Sequence, residues 1–179
     1  MAKNKRDIDA QVKRDEIAAH ALDLFLEHGF DATSMAMISR SVAIAPNTIY
    51  WYFTGKDEVF VAALDRLTIT LVAEFAKQDL RSLAKQLSWL VRQLGQYRQL
   101  IGTVHARLGL SKAVNDWHEG FHRMLEAILI AQLAKSGIPE QRARTITTAG
   151  TFVIEGLLSH PHTPKQQDAV LAWLSGGGV

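Results

Sequence analysis

The stretch "APNTIYWYF", Ala45 to Phe53, sets three large amphipathic aromatics, Tyr50, Trp51 and Tyr52, side by side. A core-facing helix carries apolar residues at three- and four-residue spacing, and a solvated helix carries charge on its outer face. This segment keeps to neither pattern throughout. Pro46 marks a helix start, because the first helical position does not need its N–H. On a wheel at about 100° per residue, Ile49 and Phe53 form an inward i,i+4 pair. Trp51 points nearly opposite, flanked by Asn47 and Thr48, with Tyr50 and Tyr52 on the two edges. An asparagine can both donate to and accept from an adenine edge, and a threonine can bond a base or meet a thymine methyl. Tyrosines at the margins can reach phosphate oxygens. The competing reading is an aromatic surface covered by the rest of the chain or by a partner.

Upstream, the residues from about 7 to 28 read as a first helix, with Ile17, Ala21, Leu22, Leu24 and Phe25 as its apolar stripe. Gly29 follows, where a helix ends. Thr33 or Ser34 can cap a short second helix whose buried side is Met35, Ile38 and Val42. The tight turn "VAI", Val42 to Ile44, leads into the helix from Pro46. Together these make a helix-turn-helix, in which the later helix enters the major groove. Thr54 is expected to cap a fourth helix, with Asp57 as an approximate capping box. Lys56 and the first amides of that helix can hold a phosphate.

Charge alone does not point to DNA. The net charge of the 179-residue chain is +2, and residues 1–56 hold seven Lys or Arg against seven Asp or Glu. The basic residues concentrate at the start, at Lys3, Lys5 and Arg6, where a mobile arm could touch a backbone or a minor groove. The chain has no cysteine, which excludes disulfides, thiolate catalysis and thiolate metal sites. With 47% hydrophobic residues it can build a substantial core. No stretch reads as a secretory signal or a membrane span, so a cytoplasmic protein is expected.

Beyond the fourth helix the sequence reads as further helices over roughly 80–93, 96–110, 113–136, 140–159 and 164–174. Thr163, Pro164 and Gln166 supply the last of these with a cap, a first position and a third position. "LTITLV", Leu67 to Val72, is the best strand signal, but it lies inside a longer helical pattern. The expected fold is therefore all-α. Residues 1–53 read as a helix-turn-helix DNA-binding domain, and 54–179 as a helical domain.

The segment Ala18 to Leu64 closely resembles the DNA-binding domain of TetR-family transcriptional regulators. "ALDLFLEHGFDATSM", "PNTIYWYF" and "GKDEVF" occur in the family's order and at its spacing. The resemblance implies an all-helical homodimer, usually a repressor, released from a palindromic operator when the C-terminal domain binds a small molecule. It places DNA contacts at Ala45, Pro46, Asn47, Thr48, Tyr50, Trp51 and Tyr52. It places the phosphate-binding lysine at Lys56 and the second-helix cap at Thr33 or Ser34. The family usually has glycine in the turn, where this chain has Ala43. It commonly has small or basic residues where this chain has Pro46 and Asn47.

In the C-terminal part, the last two helices are the expected dimer face. Ala149, Gly150 and Gly156 are small residues that let helices approach, set among Val153 and Leu157, and Trp173 adds an aromatic. The alternative is that both helices pack only within one subunit. Candidate pocket residues are Trp89, Tyr97, His105, Trp117, Phe121, His122 and Met124, since aromatics with a few polar tips suit a mostly apolar cavity. His118 and His122 share a helix face, which Glu126 continues, and that spacing can hold a divalent metal. "HEGFH" is nevertheless not the zinc-protease arrangement, and no metal or cofactor is assigned. No Gly-rich phosphate loop or nucleophile elbow occurs, so no catalytic residue is assigned and an enzyme is the less favoured class. A helical adaptor without a ligand is the other alternative.

Overall fold

The computed structural model describes residues 5–80, 82–135 and 137–175, and for 5–8 the backbone alone. Lys3 lies outside the described residues. The backbone is helical from Lys5 onward, so the expected basic arm is, from that point, the start of a helix. Among the described residues there are eight α-helices, one short 3₁₀ helix and no strand. The helices are α1 Lys5–His28, α2 Met35–Ser41, α3 Lys56–Ala76, α4 Leu83–Gly95, α5 Arg98–Arg107, α6 Lys112–Lys135, α7 Glu140–Ser159 and α8 Pro164–Leu174, with the 3₁₀ helix at Thr48–Trp51. "LTITLV" lies within α3.

The chain divides into two compact units, Met1–Lys77 with Gln99–Trp117, and Gln78–Arg98 with His118–Val179. In the first unit α1 packs on α3. Ile17, Ala21 and Phe25 of α1 are buried, as are Val59, Phe60 and Ala63 of α3. Phe25, Phe30 and Phe60 form a ring cluster with centroids 5.0–5.6 Å apart. The edge-to-face pairs in it add to what burial alone supplies. Gly29 (φ 81°) closes α1 in the left-handed conformation that glycine adopts without strain.

The geometry chooses between the two expected caps of α2 and corrects the expected cap of α3. Ser34, not Thr33, caps α2: its hydroxyl accepts from the Met37 amide. Thr33 is instead buried and donates to the Gly29 and Leu24 carbonyls, closing the end of α1. The cap of α3 is Gly55, not Thr54, and it makes no side-chain cap bond. The Thr54 amide is met by the Glu58 carboxylate at 2.8 Å, so Glu58 takes the role expected of Asp57. That bond holds the Glu58 carboxyl below the ordinary glutamate value.

In the second unit α4, α7 and α8 pack together. Leu87 and Val91 of α4, Leu157 of α7, and Leu171 and Leu174 of α8 form its apolar cluster, with Ala149 and Val153 against it. The expected box at Thr163 is present in full, with Gln166 reciprocating and Pro164 opening α8. A Cβ on Gly150 would sit 3.4 Å from Leu174 Cδ2. The small residue therefore lets α8 approach α7 within one chain.

Candidate nucleic-acid interface

The segment after α2 is positioned by its turn. The Ile44 amide bonds to the Ser39 carbonyl (3.0 Å), and the Ala43 amide to the Arg40 carbonyl (3.1 Å). With Ala43 at φ 52°, this is a Schellman motif that carries alanine where glycine is favoured. It reverses the chain and buries Val42. The next residues wind as a 3₁₀ helix rather than the expected α-helix. Amides at Thr48 and Tyr52 bond three residues back, to Ala45 and Ile49 (2.9 and 3.0 Å). Ile49 and Phe53 are both buried, which pins the short segment at two points.

Winding at three residues per turn changes which way the aromatics face. At about 120° per residue, Tyr52 eclipses Ile49, and the outward direction falls between Tyr50 and Trp51. The exposures agree: Trp51 is 85% exposed, Tyr50 is 54% exposed and Tyr52 is half-buried. Ala45, Pro46 and Asn47 are exposed, and Thr48 is half-buried. Packing within the chain therefore does not account for the placement of the Trp51 indole. Arg14 of α1 anchors the segment from behind. Its guanidinium donates to the Tyr52 carbonyl and lies 4.2 Å from the Phe53 ring centroid. Nothing in the sequence pattern of α1 singled out Arg14 for this.

Lys56 has a role the sequence did not disclose. Its ammonium donates to the carbonyls of Phe30 (2.8 Å) and Thr33 (3.0 Å) and sits 4.2 Å over the Phe30 ring. It thus ties the start of α3 to the link between α1 and α2. Burial pushes its pKa below the ordinary lysine value, against the raising influence of Asp31. Two of its three protons are committed, which leaves one for a phosphate. Next to it, Arg107 of α5 grips Asp57 through Nε–Oδ1 (2.6 Å) and Nη2–Oδ2 (2.7 Å), and also lies over Phe30 at 4.6 Å. Nη2 donates to Oδ2, whereas Nε and Oδ1 are a close charge contact that makes no hydrogen bond. Thr33 is only 1% exposed and its hydroxyl is engaged, so it drops out of the contact set, whereas Ser34 is exposed.

Residues 17–63 match the family model for bacterial regulatory proteins of the tetR family. Over these residues the chain is similar to the DNA-binding domain of that family. The HTH-type transcriptional repressor ComR of Escherichia coli (strain K12) is 35% identical over 65 residues, 36% of this chain and 31% of that protein. The matched segment thus spans about a third of ComR. Similarity of fold extends further. A transcriptional regulator from Rhodococcus sp. Rha1 superposes with a TM-score of 0.71 at 20% identity, covering 92% of this chain and 94% of the other. A Saccharomonospora viridis protein solved in complex with choline superposes at 0.64 with 18% identity, covering 94% and 97%.

The other expected sites fare unevenly. Trp89, Tyr97, Phe121, His122 and Met124 belong to the second unit, where Trp89 is buried and the other four are half-buried. His105 and Trp117 belong to the first. The Trp117 indole donates to Asp65 at 2.8 Å, and burial pushes the Asp65 carboxyl above its ordinary value. Of the expected dimer residues, Gly150 and Leu157 are buried within the subunit, and Ala149 and Val153 pack beside them. Trp173 is 65% exposed, and Gly156 has open space where a Cβ would point. The sequence reading missed Phe152, which is 69% exposed on α7. Its signal was an aromatic one position out of step with the buried Leu157 row.

Proposed function

We propose that this chain is a homodimeric transcriptional repressor that reads operator DNA with Asn47, Thr48, Tyr50 and Trp51. The observation that carries the reading is an exposed Trp51 and Tyr50 on a segment whose Ile49 and Phe53 are buried. The family match over residues 17–63 supports it. In this reading residues 1–53 form the DNA-reading part, and 54–179 the effector-binding and dimer part. Ala45, Pro46 and Tyr52 lie against the backbone, with Ser34 and the remaining Lys56 proton at phosphates. No helix among the described residues is long and apolar enough to cross a membrane, which agrees with a cytoplasmic regulator.

The dimer forms through α7 and α8, with Phe152, Trp173 and the open surface at Gly156 meeting their copies across a two-fold axis. Two recognition segments then reach successive major grooves of a palindromic site, about 34–36 Å apart. A small molecule held among Trp89, Tyr97, Phe121, His122 and Met124 favours a conformation with another spacing. DNA affinity falls by linkage. The choline complex of the S. viridis protein supports a small-molecule effector. α3, which ends where the second unit begins in sequence, is the lever.

The test is fluorescence anisotropy on duplexes from the DNA upstream of the protein's own coding sequence, with and without metabolite pools. A repressor binds one site tightly and with steep salt dependence, and a metabolite pool releases it. Equal affinity for every duplex would contradict the reading.

A further inference from the structure

We propose that His118, His122 and Glu155 form a binding site for a divalent transition-metal ion, with zinc the best match. His118 and His122 stand one turn apart on α6, and their Nε2 atoms lie 3.0 Å from each other with ring centroids 4.3 Å apart. Glu155 reaches in from α7, placing Oε1 3.4 Å from His122 Nε2. Ligands bound to zinc at about 2.0–2.2 Å lie roughly 3.3–3.6 Å apart at a tetrahedral angle, and about 2.8–3.1 Å apart at a right angle. The two short separations here fall at those values. Glu126, which the sequence pattern placed on the histidine face, lies instead 3.8 Å from Arg144. The carboxylate of the site therefore comes from a different helix.

The chemistry is that of a borderline ion. Two imidazoles and one carboxylate suit zinc, nickel or cobalt, whereas magnesium and calcium prefer all-oxygen shells. Without an ion, one Nε2–H must donate to the other Nε2 across the 3.0 Å gap. With an ion, both Nε2 lone pairs turn to the metal, and each ring carries its proton on Nδ1. His122 and Glu155 keep 28% and 37% of their side-chain surface exposed, so the ion has a route in and an open position for water or a ligand atom. Bound there, the ion joins α6 to α7. The site stands on this geometry whether or not the chain represses transcription.

The experiment is calorimetric titration of zinc chloride into the untagged full-length protein, with thermal melts alongside. The expected result is saturable binding of one zinc per chain and a rise in melting temperature. His118→Gln, His122→Gln and Glu155→Gln each weaken binding at least tenfold, and cobalt bound in place of zinc gives the visible spectrum of a low-coordinate site. A His160→Gln/His162→Gln double variant binds as the wild type does. If the histidine variants misfold by circular dichroism, Glu155→Gln, which keeps the side-chain shape, carries the test. No saturable binding by the wild type would overturn the proposal. So would full binding by Glu155→Gln, or loss of binding only in the His160/His162 variant.

Discussion

Trp51 and Trp173 are both large, both exposed and both at the end of a short helix, yet they stand in opposite surroundings. Around Trp51 the exposed neighbours are Asn47, Tyr50 and Pro46, and the apolar residues of the segment, Ile49 and Phe53, are fully withdrawn. On α8 and α7 the exposed residues include Trp173, Val170 and Phe152, all apolar or aromatic. The first surface carries hydrogen-bonding groups that a wet, polar duplex can meet. The second sets apolar side chains among exposed polar ones such as Lys165, Asp168 and Arg144, and a copy of itself can meet the apolar ones. The two units are also held differently. The first is tied by Arg14, Lys56 and the Arg107–Asp57 pair around an aromatic cluster. The second relies on an aliphatic cluster of leucines and a valine.

The sharpest way to break this contrast is to charge the second surface. Phe152→Glu with Trp173→Glu is expected to convert dimer to monomer in sedimentation. It should lower operator affinity by about 100-fold or more, because the two half-sites no longer bind as one. An unchanged sedimentation coefficient would remove the dimer role from this face. Trp51→Ala should cost about 2 kcal/mol of DNA affinity, roughly thirtyfold. It should leave the monomer–dimer equilibrium alone and shift folding stability by no more than about 0.5 kcal/mol. A large drop in melting temperature would mean that Trp51 packs rather than reads.

Arg107→Ala probes the polar clamp of the first unit. It leaves the partly buried Asp57 carboxylate without its arginine partner, at a cost of about 1–2 kcal/mol, seen as a fall of roughly 5 °C in the thermal midpoint. The smallest effect is expected at the turn. Ala43→Gly relieves a left-handed alanine that costs about 1 kcal/mol. The more flexible unfolded chain gives back part of that. A rise of about 1–2 °C should remain, and a fall would show that the turn takes another shape in solution.

How far the sequence alone reached varied with the kind of feature. The helix-turn-helix was legible because apolar stripes, the Ser34 cap and the glycine after α1 are local signals, while Ala43 was marked only by the resemblance, as standing where glycine is usual. The winding of Thr48–Trp51 was not, because eight residues from Pro46 to Phe53 fit an α-turn or a 3₁₀ turn equally well. Only tertiary anchoring of Ile49 and Phe53 decides between them. Lys56 was read as a phosphate ligand alone, since its carbonyl partners lie 23 and 26 residues away in sequence. Gly150 was read as a dimer contact or as packing within one subunit, and a Cβ there would sit 3.4 Å from Leu174 of the same chain. Smallness in a sequence tells that something approaches, not what.

The central claim is that Trp51 meets DNA. It is tested most directly by fluorine NMR of protein labelled with 5-fluorotryptophan, which gives one signal for each of the four tryptophans. The Trp51 signal is assigned by its loss in Trp51→Phe. On adding a duplex that the protein binds, the Trp51 resonance should shift and lose its sensitivity to the solvent, while the Trp89 resonance holds still. A bound duplex that leaves the Trp51 signal unmoved and fully exposed to water would contradict the account.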